Sequence, residues 1–140
     1  MDMYEIAIQA KELIDYQNNL LDKIAELRKQ YAEARIEYEK QKGAMEVLHR
    51  NKTMEFALAP EIREATDPRS GKSNKEWTQF LIDEALEADQ EYIKQFTHVY
   101  DAQKVMFLAE SDQLILAEKL GVSKAQARLI SSLLEYSSGE

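Results

Sequence analysis

The chain has 140 residues, no Cys and a formal net charge of −8, with 44% hydrophobic and 31% charged residues. That length fits one domain. The lack of Cys excludes a disulfide framework and any thiolate metal site, and the acidic balance opposes broad binding to phosphate backbones. Only four Gly and two Pro interrupt the sequence, so long helices are expected and many short strands are not.

The first element is expected over residues 3–57. A heptad with position a at Met3, Ala10, Gln17, Ile24, Tyr31, Tyr38 and Met45 places Ile6, Leu13, Leu20, Leu27, Ala34, Gln41 and Leu48 at position d. All but the two Gln are apolar or aromatic, and the 3–4 spacing is that of a coiled-coil seam. At ~1.5 Å per residue such a helix extends roughly 80 Å and cannot bury its stripe unaided. Gly43 is its weak point, because a mid-helix Gly costs about 1 kcal/mol against Ala. Tyr31 and Tyr38 read as core.

Residues 58–73 break the pattern and are read as a flexible link. Pro60 and Pro68 disfavour helix at the residue before each, and Asp67-Pro68 and Ser70-Gly71 are turn signals. Residues 61–66 can add a short helical turn. The fragment Arg69-Ser-Gly-Lys-Ser73 ends like a phosphate-binding loop. Thr66 stands where that motif needs a second Gly, however, and no strand precedes it.

A second helix is expected over 74–120. Ser73-Asn74-Lys75-Glu76 reads as a capping box, with Ser73 as the cap. A broad apolar stripe follows, from Trp77, Phe80 and Leu81 through Tyr92, Phe96, Val99, Met106 and Phe107 to Leu114 and Ala117. This helix is acidic at its start (Glu76, Asp83, Glu84, Glu87, Asp89, Glu91), while the far half of helix one is basic (Arg28, Lys29, Arg35, Lys40, Lys42, Arg50, Lys52). An antiparallel hairpin sets these halves side by side.

Gly121 is then expected to stop helix two as a C-cap, and Ser123 to start a third helix over 123–136. That helix would cover the apolar start of helix one. The fold class expected is therefore all-α, one domain: a long antiparallel helical hairpin with a short third helix packed at the N-terminal end.

Candidate chemistry is sparse. Glu46-x-x-His49 matches half of a di-metal carboxylate site, but His98, the only other His, has Gln95 where the second Glu belongs. Two His on separate helices suggest no catalytic set, so no enzyme, cofactor or metal is expected. The sharpest candidate lies at Ala117–Ile130. Ala117, Gly121 and Ser123 fit a helix-turn-helix, with Lys124, Gln126 and Arg128 placed to reach a DNA groove. A second basic set, Lys52, Arg63, Arg69, Lys72 and Lys75, gathers near the hairpin tip as a nucleic-acid candidate. Trp77 beside the link is a candidate partner contact.

The stretches EIAIQAKELIDYQNNLLDKIAELRKQYAEARIEYEKQK and SDQLILAEKLGVSKAQARLISSLLE resemble small helical proteins from early, replication and recombination gene regions of phages of Gram-positive bacteria. The resemblance implies an accessory factor of DNA metabolism and assigns no active residue. The expected function is non-enzymatic protein–protein interaction, as a homo-oligomer with an unidentified protein partner. Nucleic-acid binding is the alternative. No signal peptide or apolar run of ~18 residues is seen, so a cytoplasmic protein without membrane contact is expected.

Overall fold

The computed structural model describes residues 2–138 of the chain. The described residues form four α-helices and no strand: α1 Met3–Leu58, α2 Pro60–Arg63, α3 Lys75–Ala88 and α4 Gln90–Ser138. The all-α class holds, and α1 packs along α4 in a hairpin-like arrangement. Among the described residues, no helix is long and apolar enough to cross a membrane. The chain forms two compact units, Met1–Ala34 with Met106–Glu140, and Arg35–Val105.

In the first unit α1 opens with a reciprocal cap. Asp2 Oδ1 accepts from the Glu5 backbone N–H at 2.8 Å, and Glu5 Oε2 accepts from the Asp2 N–H at 3.3 Å. These bonds occupy donors that the first turn leaves free. The residues then buried or half-buried on α1 are Ile6, Ala10, Leu13, Gln17, Leu20, Ile24, Leu27, Tyr31 and Ala34. They are the a and d positions read from the sequence, except Met3, which is exposed.

The facing part of α4 carries a seam of its own. Met106, Ala109, Gln113, Leu116, Leu120, Ser123, Ala127, Ile130 and Leu134 turn inward at strict 3–4 spacing. Gln113 Nε2 donates to the Leu27 carbonyl at 3.2 Å. Farther along, Gln126 and Ile130 share a hollow with Gln9 and Leu13. The partners on α4 thus rise in number as those on α1 fall.

This seam corrects the expectation of a separate helix over 123–136. α4 runs unbroken through Gly121, and Gly71 is the only Gly with positive φ among the described residues. Gly121 therefore does not adopt the left-handed conformation of the C-cap motif. Ser123 is 1% exposed and sits in the seam instead of capping a helix. Because the 3–4 spacing crosses Gly121 without a phase change, burial on both sides offsets the roughly 1 kcal/mol that Gly costs.

In the second unit, Tyr38, Gln41, Met45 and Leu48 of α1 turn inward, as do Tyr92, Gln95, Val99 and Ala102 of α4. Gln95 Nε2 donates to both the carbonyl and the Oε1 of Gln41, each at 3.0 Å. His49 Nδ1 lies 3.2 Å from the Tyr92 hydroxyl. A Cβ at Gly43 would meet nothing within 4 Å, so that glycine is simply tolerated.

The helix expected over 74–120 is broken at Asp89, whose backbone is extended at φ −76 and ψ 122. Its carboxylate accepts from the Tyr92 N–H at 2.9 Å, which makes it the N-cap of α4. The break has a packing cause. Ile82 and Leu86 are the buried residues of α3, and the next seam position, seven after Ile82, falls on Asp89. A carboxylate there gains more by capping a new helix than by entering an apolar seam. The expected pairing of basic and acidic halves is realised by Lys52 alone, because no other base of α1 makes an ion pair among the described residues.

Candidate functional site

The segment linking α2 to α3 is built around one carboxylate. Asp67 Oδ1 accepts from the Arg69 N–H at 2.9 Å, and Oδ2 accepts from Asn74 Nδ2 at 3.1 Å. Its backbone closes the same turn, since the Asp67 carbonyl accepts from the Gly71 N–H at 2.7 Å and the Asp67 N–H donates to the Lys72 carbonyl at 2.9 Å. Gly71 has φ +68, the left-handed conformation that this closure requires and that Gly adopts without a steric penalty. The N–H of Arg69, followed by the Asn74 amide, holds the Asp67 carboxyl below the usual carboxylate range. The link thus closes a turn through its own hydrogen bonds. It also accounts for the phosphate-loop fragment, as Ser70, Gly71 and Lys72 serve the turn's own hydrogen bonds.

The cap of α3 lies one residue beyond the expected Ser73. Asn74 Oδ1 accepts from the Trp77 N–H at 2.8 Å while its amide nitrogen holds Asp67. Asn74 performs both tasks because its amide carries an acceptor oxygen and a separate donor nitrogen. Trp77, thus fixed one turn into α3, is half-buried and stacks on Phe80 at a centroid distance of 5.3 Å. Its indole Nε1 is buried without a hydrogen-bond partner among the described residues. Trp77 and Phe80 line a hollow of about 230 Å³ with Asp67, Arg69 and Glu76.

The basic residues singled out in the sequence divide into used and open ones. Lys52 Nζ sits 3.1 Å from Glu91, 3.2 Å from Asp89 and 3.7 Å from Glu55. Its pKa is raised, first by the bond to Glu91 and then by that to Asp89. The Asp89 carboxyl is lowered, chiefly by the Tyr92 N–H it caps and then by Lys52. Lys52 thus clamps the α3–α4 junction and is not open to a phosphate, which corrects its place in the basic set. Arg63 lies 3.8 Å from Glu64 with both side chains exposed, a weak pair. Arg69, Lys72 and Lys75 are exposed and make no ion pair among the described residues.

Lys124, Gln126 and Arg128 are exposed on the continuous α4. Lys124 and Arg128, four residues apart, share a face, while Gln126 points elsewhere and lines the hollow beside Gln9. The turn of a helix-turn-helix is not formed, so the three do not present one reading surface. Glu46 and His49 line another hollow, and among the described residues no group of three or more metal-ligating side chains occurs.

The sequence reading named Asp67, Asn74 and Asp89 but missed their roles as turn centre, cap of α3 and cap of α4. Each carried a signal: an Asx residue before Pro, an Asx three before an aromatic, and an acid at a seam position. Comparison with known proteins yields no family model, no curated protein and no solved structure that matches the chain.

Proposed function

We propose that the chain is a non-enzymatic interaction factor that presents a coiled-coil hairpin to a protein partner. It works as a homo-oligomer in the cytoplasm, in phage or bacterial DNA metabolism. One observation carries the reading. The buried apolar core consists of single seam residues such as Ile6, Leu20, Ile24, Ile82 and Leu86, whereas large side chains on both long helices stay open, among them Tyr4, Ile14, Ile36, Phe96, Tyr100 and Leu114. Large apolar side chains left open in this number suit a protein contact. The phage resemblance supplies the setting.

The test has two parts. Light scattering of the purified chain reports its mass, and affinity capture from the native cell is followed by reconstitution with the captured protein in purified form. A multiple of the chain mass, together with a partner that rebinds when pure, supports the reading. A monomer for which no captured protein rebinds refutes it.

A second reading has its own observation. Arg69 borders a hollow with the stacked Trp77 and Phe80, and Lys72 and Lys75, close to these in sequence, make no ion pair among the described residues. Cations beside stacked aromatics suit an unpaired base and its phosphate. Trp77 is the only Trp in the chain, so its fluorescence reports on this hollow directly. Quenching by a single-stranded oligonucleotide that weakens with salt supports the reading, and unchanged emission at low salt refutes it.

A further inference from the structure

The hollow lined by Asp67, Arg69, Glu76, Trp77 and Phe80 holds about 230 Å³. That is below the ~300 Å³ at which pockets for drug-sized ligands begin, so it suits one flat ring system and not an extended ligand. Phe80 offers a flat wall, since it stacks on Trp77 and still keeps 48% of its surface open. The backbone on both sides is tied down. The Asp67 carboxylate holds the Arg69 N–H, and the Asn74 cap holds the Trp77 N–H.

The polar groups of the hollow divide into committed and open ones. Both Asp67 oxygens are taken, one by the Arg69 N–H and the other by the Asn74 amide. Arg69 and Glu76 are exposed, and neither side chain makes an ion pair among the described residues. One open carboxylate, which only accepts, thus lines the same hollow as one open guanidinium, which only donates. A planar ring that satisfies both needs two neighbouring N–H donors on one edge and two neighbouring acceptors on another. Among the common nucleobases guanine alone has that pattern. Its N1–H and N2–H suit a carboxylate, and its O6 with N7 suits the fork of an Arg. Adenine and cytosine offer an amino group without a ring N–H beside it, and thymine and uracil offer a ring N–H without an amino group.

We propose that this hollow takes an unpaired guanine, stacked on Phe80, with Glu76 accepting from its N1–H and N2–H and Arg69 donating to its O6 and N7. The inference rests on the single-strand reading above and names the base that the site selects.

The test follows the emission of Trp77, the only Trp, in the full chain at low salt. Four oligothymidylate strands of equal length are titrated, one unaltered and three with a single central guanine, adenine or cytosine. Affinities are read from titration midpoints. The guanine strand binds about tenfold or more tightly than the other three, which is the discrimination that a good bidentate pair supplies. Hypoxanthine in place of guanine lacks the N2 amino group and loses most of that preference. Glu76→Gln sets an amide donor against the two N–H groups and abolishes the preference, with helicity by circular dichroism unchanged. Glu84→Gln alters an exposed carboxylate of α3 that does not line the hollow, and keeps it. Equal affinity for the four strands overturns the inference and leaves the single-strand reading standing. So does a guanine preference that survives hypoxanthine or Glu76→Gln. Emission unchanged by every strand overturns both.

Discussion

Replacing Ser123 by Ala tests the α1–α4 seam at its most buried point. The Ser123 side chain is 1% exposed, and its hydroxyl has no hydrogen-bond partner among the described residues. A buried, unsatisfied hydroxyl costs about 1–3 kcal/mol, and Ala is the better helix former by up to ~0.7 kcal/mol. Gln17 is also in the seam, and its Nε2 is likewise buried without a partner. The register makes the two neighbours. Gln113 meets Leu27, and ten residues along each helix in opposite senses lead to Ser123 and Gln17. Ser123→Ala is therefore expected to raise stability by ~1–2 kcal/mol, a shift of roughly 4–8 °C in thermal midpoint for a chain of this length. Circular dichroism melts give that number, and urea midpoints at constant slope confirm it. Gln17→Leu should act in the same direction, and the double substitution measures the coupling between these neighbours. A fall in midpoint for Ser123→Ala would refute the reasoning, since it would show that the hydroxyl is satisfied in solution. A large coupling between the two substitutions would identify Gln17 as the partner.

Asn74→Ala removes the cap of α3 and the brace on Asp67, and should cost about 1 kcal/mol or more by urea denaturation, while Ser73→Ala should cost little. Gly121→Ala, assayed at a concentration low enough for monomer, should stabilise by up to ~1 kcal/mol because Gly121 is helical with open space around it; destabilisation would restore the turn reading. The Asp89 carboxyl is lowered from 3.8, so its contribution is present at neutral pH and is lost as pH falls below about 4. Lys52 is raised from 10.5, so its contribution is present at neutral pH and is lost only as pH climbs above that value. Asp89→Asn keeps a capping side chain without the charge and should flatten the acid limb of the urea midpoint; an unchanged acid limb would exclude Asp89 as its source.

The seam of α1 was legible because apolar or aromatic residues fill all but two of its fourteen a and d positions, although Tyr4, Ile8, Ile14, Leu21, Ile36 and Val47 lie outside them. The seam of α4 was hidden by a second apolar row. Phe107, Leu108, Leu114, Ile115, Val122 and Leu129 are as apolar as the inward residues, so periodicity read as one broad stripe. Inward positions held by Gln95, Gln113 and Ser123 weakened the signal further. Gly121 followed by Ser123 imitates a stop and a start, and only the unbroken phase of the seam distinguishes it from one. Of the candidate site, Trp77 could be placed from its distance to the link. That Lys52 was already engaged could not be seen, because its partners Asp89 and Glu91 lie about forty residues away and gain their geometry from a helix break.

The pairing of distant segments also sets the order in which the chain can fold as it is made. The bonds that join α1 to α4 span 43 residues at His49–Tyr92, 54 at Gln41–Gln95 and 86 at Leu27–Gln113. The second unit can close once residue 105 is free of the ribosome. The seam of residues 6–34 has no partner until residues 106–134 have followed. At about 5–20 residues per second the first heptads wait on the order of ten seconds with their apolar edge bare. For that interval the nearest cover for Leu13, Leu20 and Ile24 is the same stretch of a neighbouring nascent chain, so crowding on one messenger would favour exchanged hairpins over closed ones.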